Sequence, residues 1–256
     1  MIDVVAAVND EAILASNLLR SPMLAREDVR FHARRSFRSA SRAYDDALTD
    51  CRSDLVVFAH QDVYLPMGWE QRLRAQVALL ERHDPDWGVL GVYGVTAEGR
   101  QVGLVWSSGL GRVFGEPFDE PVPVRSIDEV VIVLRRDSGL MFDPKLPGFH
   151  LYGTDLVQTA LNRGLKAYAV CAPVVHNSRP APFLGEDYFA AYRYVSAKWR
   201  DHLPIFDNVA PVVAPGPRFL ALRARHKLAE WRVGTSRPRV DRGLDCVDIA
   251  RELEFE

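Results

Sequence analysis

Only three cysteines, Cys51, Cys171 and Cys246, occur in 256 residues. They are odd in number and far apart, which fits neither a disulfide framework nor a zinc site. A reducing compartment suits them, and the cytoplasm is the expected location. Long hydrophobic runs are lacking as well: no stretch of about eighteen apolar residues occurs, so no segment is expected to cross a bilayer. The opening residues, Met1-Ile2-Asp3-Val4-Val5, lack the basic region and long apolar core of a secretory signal. Nor is there an excess of either charge. With 32 Lys and Arg against 34 Asp and Glu, the net charge is -2, which gives no bulk attraction to a polyanion and excludes nucleic acid as an expected partner. Internal repeats and low-complexity tracts are absent from the sequence.

What is present is enough apolar material (48% of residues) for one large core, alone or with an appendage. Val4-Val5-Ala6-Ala7-Val8 reads as a buried strand ended by the polar pair Asn9-Asp10. Glu11 to Leu19 reads as a helix stopped near Pro22. Val29 to Ala33 predicts a second strand and Ser41 to Leu48 a short helix. Leu55 to Ala59, apolar throughout and flanked by polar residues, is the clearest strand. Trp69 to Arg82 predicts a helix and Gly88 to Val95 a strand. Such alternation predicts an α/β domain with a mainly parallel mixed sheet flanked by helices. Gly99 to Pro123, rich in Gly and Pro, reads as loops and an antiparallel ribbon. Val130 to Leu134 and Lys166 to Cys171 read as strands, and Asp155 to Asn162 as a helix ended by Gly164.

Beyond Gly185 the pattern turns helical. Tyr188, Tyr192, Val195 and Trp199 share one face at helical spacing, and Leu220, Ala224, Leu228 and Trp231 suggest a further helix. Arg218 to Arg239 carries seven Lys and Arg against one Glu, and the tail from Val240 to Glu256 six Asp and Glu against two Arg. The expected division is a domain over 1–180 and a helical C-terminal extension over 181–256 packed on it.

Three stretches carry chemistry. In LVVFAHQDVYLP (55–66) a buried strand runs into His60-Gln61-Asp62. Ligands of open α/β sheets sit beyond the carboxyl ends of strands, and a carboxylate beside a histidine there can hold a divalent cation against diphosphate oxygens. A turn-capping Asp62 is the plainer alternative. In PGFHLYGTDLVQTALNRG (147–164), Asp155 opens a helix, either as a general base toward a hydroxyl or as an N-cap shared with Thr154. In VVHNS (174–178), His176 leaves a strand end as a metal ligand or as a hydrogen-bonded histidine. Arg34, Arg35, Arg38 and Arg42 form a basic cluster suited to a diphosphate, Arg38 foremost, or a solvated face. Asp128 reads as an acceptor-facing acid or a turn residue.

Taken in this order, the stretches AAVND (6–10), AYDDAL (43–48), VVFAHQDVYLPMGWEQRL (56–73), FDPKLPGFHLYGTDLVQTALNRG (142–164) and VVHNS resemble glycosyltransferase family 2. The nearest branch is one related to a streptomycin-biosynthesis protein whose metal motif also reads HQD. The resemblance covers about residues 1–180. It implies a GT-A fold, Rossmann-like, as in nucleotide-diphospho-sugar transferases. It implies that Val8, Asn9 and Asp10 meet the nucleotide base and ribose, and that His60, Gln61 and Asp62 lie at the donor. Asp62 matches the last acid of the Asp-x-Asp metal motif, His176 completes the metal shell, and Asp155 deprotonates the acceptor. His60 stands where most members have aspartate, a softer donor that favours Mn²⁺ over Mg²⁺. Asp45 stands where related sequences often have asparagine, and Thr154 where many have glutamate.

The implied activity is transfer of a sugar from a nucleotide-diphosphate sugar to an acceptor hydroxyl, inverting and assisted by a divalent cation. The acceptor class is left open: carbohydrate, lipid-linked or small molecule. So are a homodimer and a peripheral contact with the inner face of a membrane, for which the basic stretch with Leu220, Leu228 and Trp231 is the candidate; the alternative is a helix packed on the core with its basic face against the acidic tail. Two rivals remain. A degenerate domain that binds sugar nucleotides without turnover is favoured by the missing aspartate at His60. A sugar nucleotidyltransferase would need a glycine-rich basic loop after the first strand, where Asn9-Asp10-Glu11-Ala12 stands.

Overall fold

The computed structural model describes residues 1–180, 183–234 and 245–256. In the first half lie β1 (Ile2–Val8), α1 (Glu11–Ser16), β2 (Val29–Arg35), α2 (Ala40–Leu48), β3 (Leu55–Ala59), β4 (Val63–Tyr64) and α3 (Trp69–His83). Then come β5 (Trp87–Gly91), β6 (Tyr93–Val95), β7 (Gln101–Ser107), β8 (Arg112–Gly115), β9 (Val122–Pro123), β10 (Ser126–Ile127) and β11 (Val131–Arg135). The chain continues through α4 (Tyr152–Asn162), β12 (Lys166–Ala169), β13 (Val174–His176), α5 (Glu186–Lys198), α6 (Pro217–Val233) and α7 (Cys246–Glu252).

A seven-stranded sheet of order β2-β1-β3-β11-β5-β12-β9 forms the frame. β1 is parallel to both β2 and β3, and β12 to β5, while β11 is antiparallel between β3 and β5 and β9 antiparallel to β12. Both faces of this sheet are covered, which is why its central strands read as unbroken apolar runs. On one face Val5, Val56, Phe58, Ile132 and Leu134 pack against residues of α2, α4, α5 and, through Phe219, α6. On the other, Val4, Ala6, Val57, Ala59, Val131 and Val133 pack with Leu14 of α1 and with Trp69, Leu73, Val77 and Leu80 of α3. The expected α/β architecture, a mixed sheet flanked by helices, is what the chain forms.

A second sheet of order β10-β6-β7-β13-β4, with β8 on β7, lies beside the first. Its hydrophobic side holds Tyr64, Leu104, Trp106 and Val175 against Cys246, Ile249 and Ala250 of α7 and Phe255 beyond it.

Four expectations need correction. The strand expected over Gly88–Val95 is two strands in different sheets, parting at Val92. At Gly91 the Ile127 side chain lies 2.8 Å from where a Cβ would stand, so only glycine admits this packing at the bend. The first helix stops at Ser16 rather than Leu19, because Asn17 leaves helical geometry and turns its amide onto the Ile13 carbonyl. The helix expected to open at Asp155 opens three residues earlier, at Tyr152, with Leu151 in left-handed geometry (φ 60°) as its N-cap. Neither Thr154 nor Asp155 is therefore a cap. Finally, α7 lies in a tail that the sequence marked only by its charge.

Residues 235–239 of the basic stretch and 240–244 of the acidic tail lie outside the described residues. Among the described residues, α6 meets α5: Arg223 pairs with Glu186 at 2.9 Å. In the tail, Asp245 pairs with Arg20 beside α1.

Candidate functional site

The carboxyl ends of β1 and β3 lie side by side, since the two strands are parallel neighbours. Each delivers a polar turn to the same edge. After β1 come Asn9 and Asp10; after β3 come His60, Gln61 and Asp62. The two turns are tied by Gln61, whose Oε1 accepts from the backbone N–H groups of Asn9 (3.0 Å) and Asp10 (3.1 Å) and whose Nε2 donates to Asn9 Oδ1 at 2.5 Å. Asp10 in turn caps α1, accepting from the N–H groups of Ala12 and Ile13. Asn9, Asp10 and Gln61 are thus committed to shaping this edge.

His176 arrives from the second sheet. β13 pairs antiparallel with β4, so that His176 faces Val63 and the Asn177 N–H donates to the Asp62 carbonyl at 2.8 Å. A tight turn from His60 to Val63 (N to O 3.2 Å) folds Asp62 back toward the two histidines. Asp62 Oδ1 lies 3.4 Å from His176 Nε2 and 4.0 Å from His60 Nδ1, and one donor atom from each residue falls within 4.8 Å of the others. Two imidazoles and one carboxylate converging at such distances are a donor set of the right size and chemistry for a divalent transition metal, and one less suited to Mg²⁺.

Tyr152 fixes the His60 ring. Its hydroxyl lies 2.8 Å from His60 Nε2 and donates to the Glu129 carbonyl (3.3 Å). The Nε2–H tautomer of His60, donating to the Tyr152 oxygen, is the one that leaves the Nδ1 lone pair on the side of Asp62. Burial pushes the His60 pKa below the ordinary histidine value, against the opposing pull of Asp62. The imidazole is therefore neutral, the form that ligates metal. Tyr152 reaches this position because α4 starts hard against the strand-end loop: a Cβ on Gly153 would stand 2.6 Å from the Ile127 carbonyl oxygen.

Next to His60 lies a group of acidic residues that the sequence largely concealed. Asp128 is half-buried, and its Oδ1 accepts from the Val130 N–H at 2.8 Å while Oδ2 accepts from Asn208. Its charge acts on His60. Glu129 has its Oε1 enclosed without a partner among the described residues, and burial raises its pKa well above the usual range. Asp207 accepts from the Thr154 hydroxyl at 2.6 Å; burial, opposed by that bond, pushes its pKa up to about 6. The buried Tyr188 hydroxyl also lacks a partner among the described residues, and its ring lies 5.5 Å from that of His150. Of these acids only Asp128 drew attention in the sequence. Tyr152, Glu129 and Asp207 have no spacing signal, because they come from a helix start, a loop and the region after α5.

Asp155 is not brought to this group. It is 2% exposed, and its oxygens accept from Trp199 Nε1 (2.7 Å) and Lys198 Nζ (2.8 and 2.9 Å), joining α4 to the end of α5. Burial raises its pKa despite the lysine.

Beside β1 and β2 a cavity of about 360 Å³ is lined by Val8, Asn9, Arg34, Arg35, Phe37 and Phe149, among others. Of the arginine cluster, Arg34 is paired with Asp46 and Asp50, Arg35 with Glu11, and Arg42 donates to the Pro144 carbonyl. Arg38 is exposed and outside the lining of this cavity. A larger cavity of about 870 Å³ opens at the opposite edge of the sheet, near Met1, Trp87 and Arg135. Arg135 there is held by Asp137 and by the Trp87 face, and Arg52, Asp54, Arg74, Glu81 and Arg136 also line it.

No family model matches the chain. A curated protein of Fuscovulum blasticum described as "ATP synthase subunits region ORF 6" is 30% identical over 166 residues, covering 61% of this chain and 64% of that protein. The chain thus spans under two thirds of the length of that relative. Among solved structures, the mannosyltransferase PcManGT from Pyrobaculum calidifontis, in complex with GDP-Man and Mn²⁺, is similar over 92% of this chain and 76% of its own, at 12% identity and a TM-score of 0.49. Residues 1–349 of S. aureus TarS, in complex with UDP-GlcNAc, are similar over 91% and 72%, at 13% identity and a TM-score of 0.48. Among the described residues, no helix is long and apolar enough to cross a membrane.

Proposed function

We propose that the chain is a glycosyltransferase that moves a sugar from a nucleoside-diphosphate sugar to an acceptor hydroxyl, with a GT-A-type catalytic domain over residues 1–180 and a helical extension over 181–256. The observation that carries this reading is the convergence of His60, Asp62 and His176 beside the Asn9-Asp10 turn, at the shared carboxyl edge of two parallel strands. A nucleoside fits the cavity bounded by Val8, Asn9, Phe37 and Phe149, where an aromatic face can stack on a base. Its diphosphate then reaches the His60–Asp62–His176 group. A divalent cation held there, Mn²⁺ in preference to Mg²⁺, supplies charge for the departing diphosphate.

The chain's own residues do the rest. Tyr152 orients His60, and Gln61 keeps the two strand-end turns in register. In this reading the acceptor hydroxyl attacks from the side of Asp128, opposite the nucleotide, and the configuration at the anomeric carbon inverts. Asp155 could take the acceptor proton only after Lys198 and Trp199 release it. Asp128 also has both oxygens engaged, by the Val130 N–H and Asn208, but it is half-buried beside His60 rather than enclosed, and we assign the proton to it.

The test is thermal stability of the purified protein with nucleoside diphosphates and sugar nucleotides, each with and without Mn²⁺. A ligand at about 100 times its Kd adds about 2.7 kcal/mol, so one nucleotide should raise the melting temperature, more so with Mn²⁺. Asp62→Ala should remove the Mn²⁺ increment. If no nucleotide shifts the transition, or the increment survives in Asp62→Ala, the reading is wrong. A second reading, a domain that binds sugar nucleotides without turnover, draws on the engagement of both Asp155 oxygens; metal-dependent nucleotide binding with no transfer to any acceptor would select it.

A further inference from the structure

Helix α6 has two apolar faces, and among the described residues only one of them is packed. On the inner face Phe219 is buried against Tyr192 (ring centroids 5.1 Å) and Phe189 (6.0 Å), His226 accepts the Leu184 N–H, and Arg223 pairs with Glu186. The outer face carries Leu220, Ala224, Leu228 and Trp231, spaced i, i+4, i+8 and i+11, which places them in one stripe. Leu220 is 62%, Leu228 47% and Trp231 81% exposed. Arg225, Lys227 and Arg232 flank the stripe and Arg218 stands at the helix start, all exposed and none in an ion pair among the described residues. The helix's one acid, Glu230, is half-buried and off this stripe.

We propose that this outer face docks on an anionic lipid surface. An apolar stripe with a tryptophan, edged by long cationic side chains, matches the headgroup boundary of a bilayer: the apolar residues enter the acyl region while Arg and Lys extend to the phosphates. Charge selects this occupant over others. A second copy meeting the face about a twofold axis would bring the same cations against one another. The adjoining residues 235–244 carry three Arg and one Asp, and so offer no complementary charge. The inference is independent of the catalytic reading, because it involves no residue or ligand of the proposed site.

The experiment is sedimentation of the full chain with vesicles of phosphatidylcholine, with and without phosphatidylglycerol, in the absence of nucleotide. The other four tryptophans are buried, at 8% exposure or less, so emission reports mainly on Trp231. The expected result is binding to the anionic vesicles with a blue shift, weakened roughly fivefold for each of Arg225→Gln and Lys227→Gln. Leu228→Ser with Trp231→Ser should weaken binding by roughly tenfold or more, and Trp231→Phe should keep binding but lose the blue shift. All are exposed positions, and circular dichroism checks that each variant folds. Absence of binding, equal binding to neutral vesicles, or a dimer dispersed by Leu228→Ser without any vesicle binding would each overturn the proposal.

Discussion

At the residue scale, Asp3 shows how a buried charge is kept. Its side chain has no exposure, and burial alone would raise its pKa, yet His32 and the backbone N–H groups of Ser53 and Arg52 outweigh that and hold it at about 2. A carboxyl whose pKa is depressed in the folded state stabilises that state at pH above its unfolded value, 3.8, and loses this contribution as pH falls through about 2. Asp3→Asn should therefore cost about 2 kcal/mol at pH 7, with the difference from the parent protein vanishing near pH 2; denaturant titrations at the two pH values measure it. A loss of equal size at both would mean that the hydrogen bonds matter and the charge does not. The same contrast explains what was legible at the candidate site. Asp62 and His176 follow buried strands, whose ends the apolar runs mark, so their candidacy could be read directly. The partners of Asp3, and Tyr152 against His60, come from pairing between distant segments, which no local pattern encodes.

At the scale of elements, the sheet strands were the most readable, because burial on both faces leaves continuous apolar runs. Helix starts were the least so. An aspartate near the start of an apolar helical pattern reads as a cap, but α4 begins a turn earlier on Tyr152 and Gly153, where the demand for space at Ile127 outweighs helix propensity. Asp155 thereby turns inward and ties α4 to α5 through Lys198 and Trp199. Removing one partner of a buried pair leaves the other uncompensated. Lys198 keeps Asp143 at 2.7 Å, which limits the damage. Asp155→Asn should cost about 2–3 kcal/mol and lower the melting temperature by several degrees, while transfer per folded molecule persists. Asp128→Asn keeps Oδ1 for the Val130 N–H but sets an amide against the Asn208 donor, so it should cost only about 1 kcal/mol and lose transfer. The reverse pattern, a stable but inactive Asp155→Asn beside an active Asp128→Asn, would return the base role to Asp155.

At the scale of the whole molecule, the division between a domain over 1–180 and a helical extension is functional in our reading, and packing runs across it. Tyr188, Phe189, Ala191, Tyr192, Val195 and Trp199 of the α5 segment belong to the same buried cluster as Val56, Phe58 and Ile132 of the central sheet. Fully burying one large apolar side chain is worth about 1.5–3 kcal/mol, so the five larger of these six together contribute about 8–15 kcal/mol, comparable to the whole 5–15 kcal/mol by which most domains are stable. A chain cut after residue 180 should consequently fail to unfold cooperatively, and also lose the Asp155 tie and the Asp207 carboxyl group. A cut after 234 removes less: α7 contributes Cys246, Ile249 and Ala250, with Phe255 beyond it, to the cluster on the second sheet, away from the main core. That shorter chain should still melt in one transition, at a lower temperature, and retain nucleotide-dependent stabilisation if the site reading holds. Calorimetry of both truncations decides between a single cooperative unit and a domain with a detachable appendage. A sharp, near-native transition from residues 1–180 alone would show that the helices beyond merely rest on a finished core.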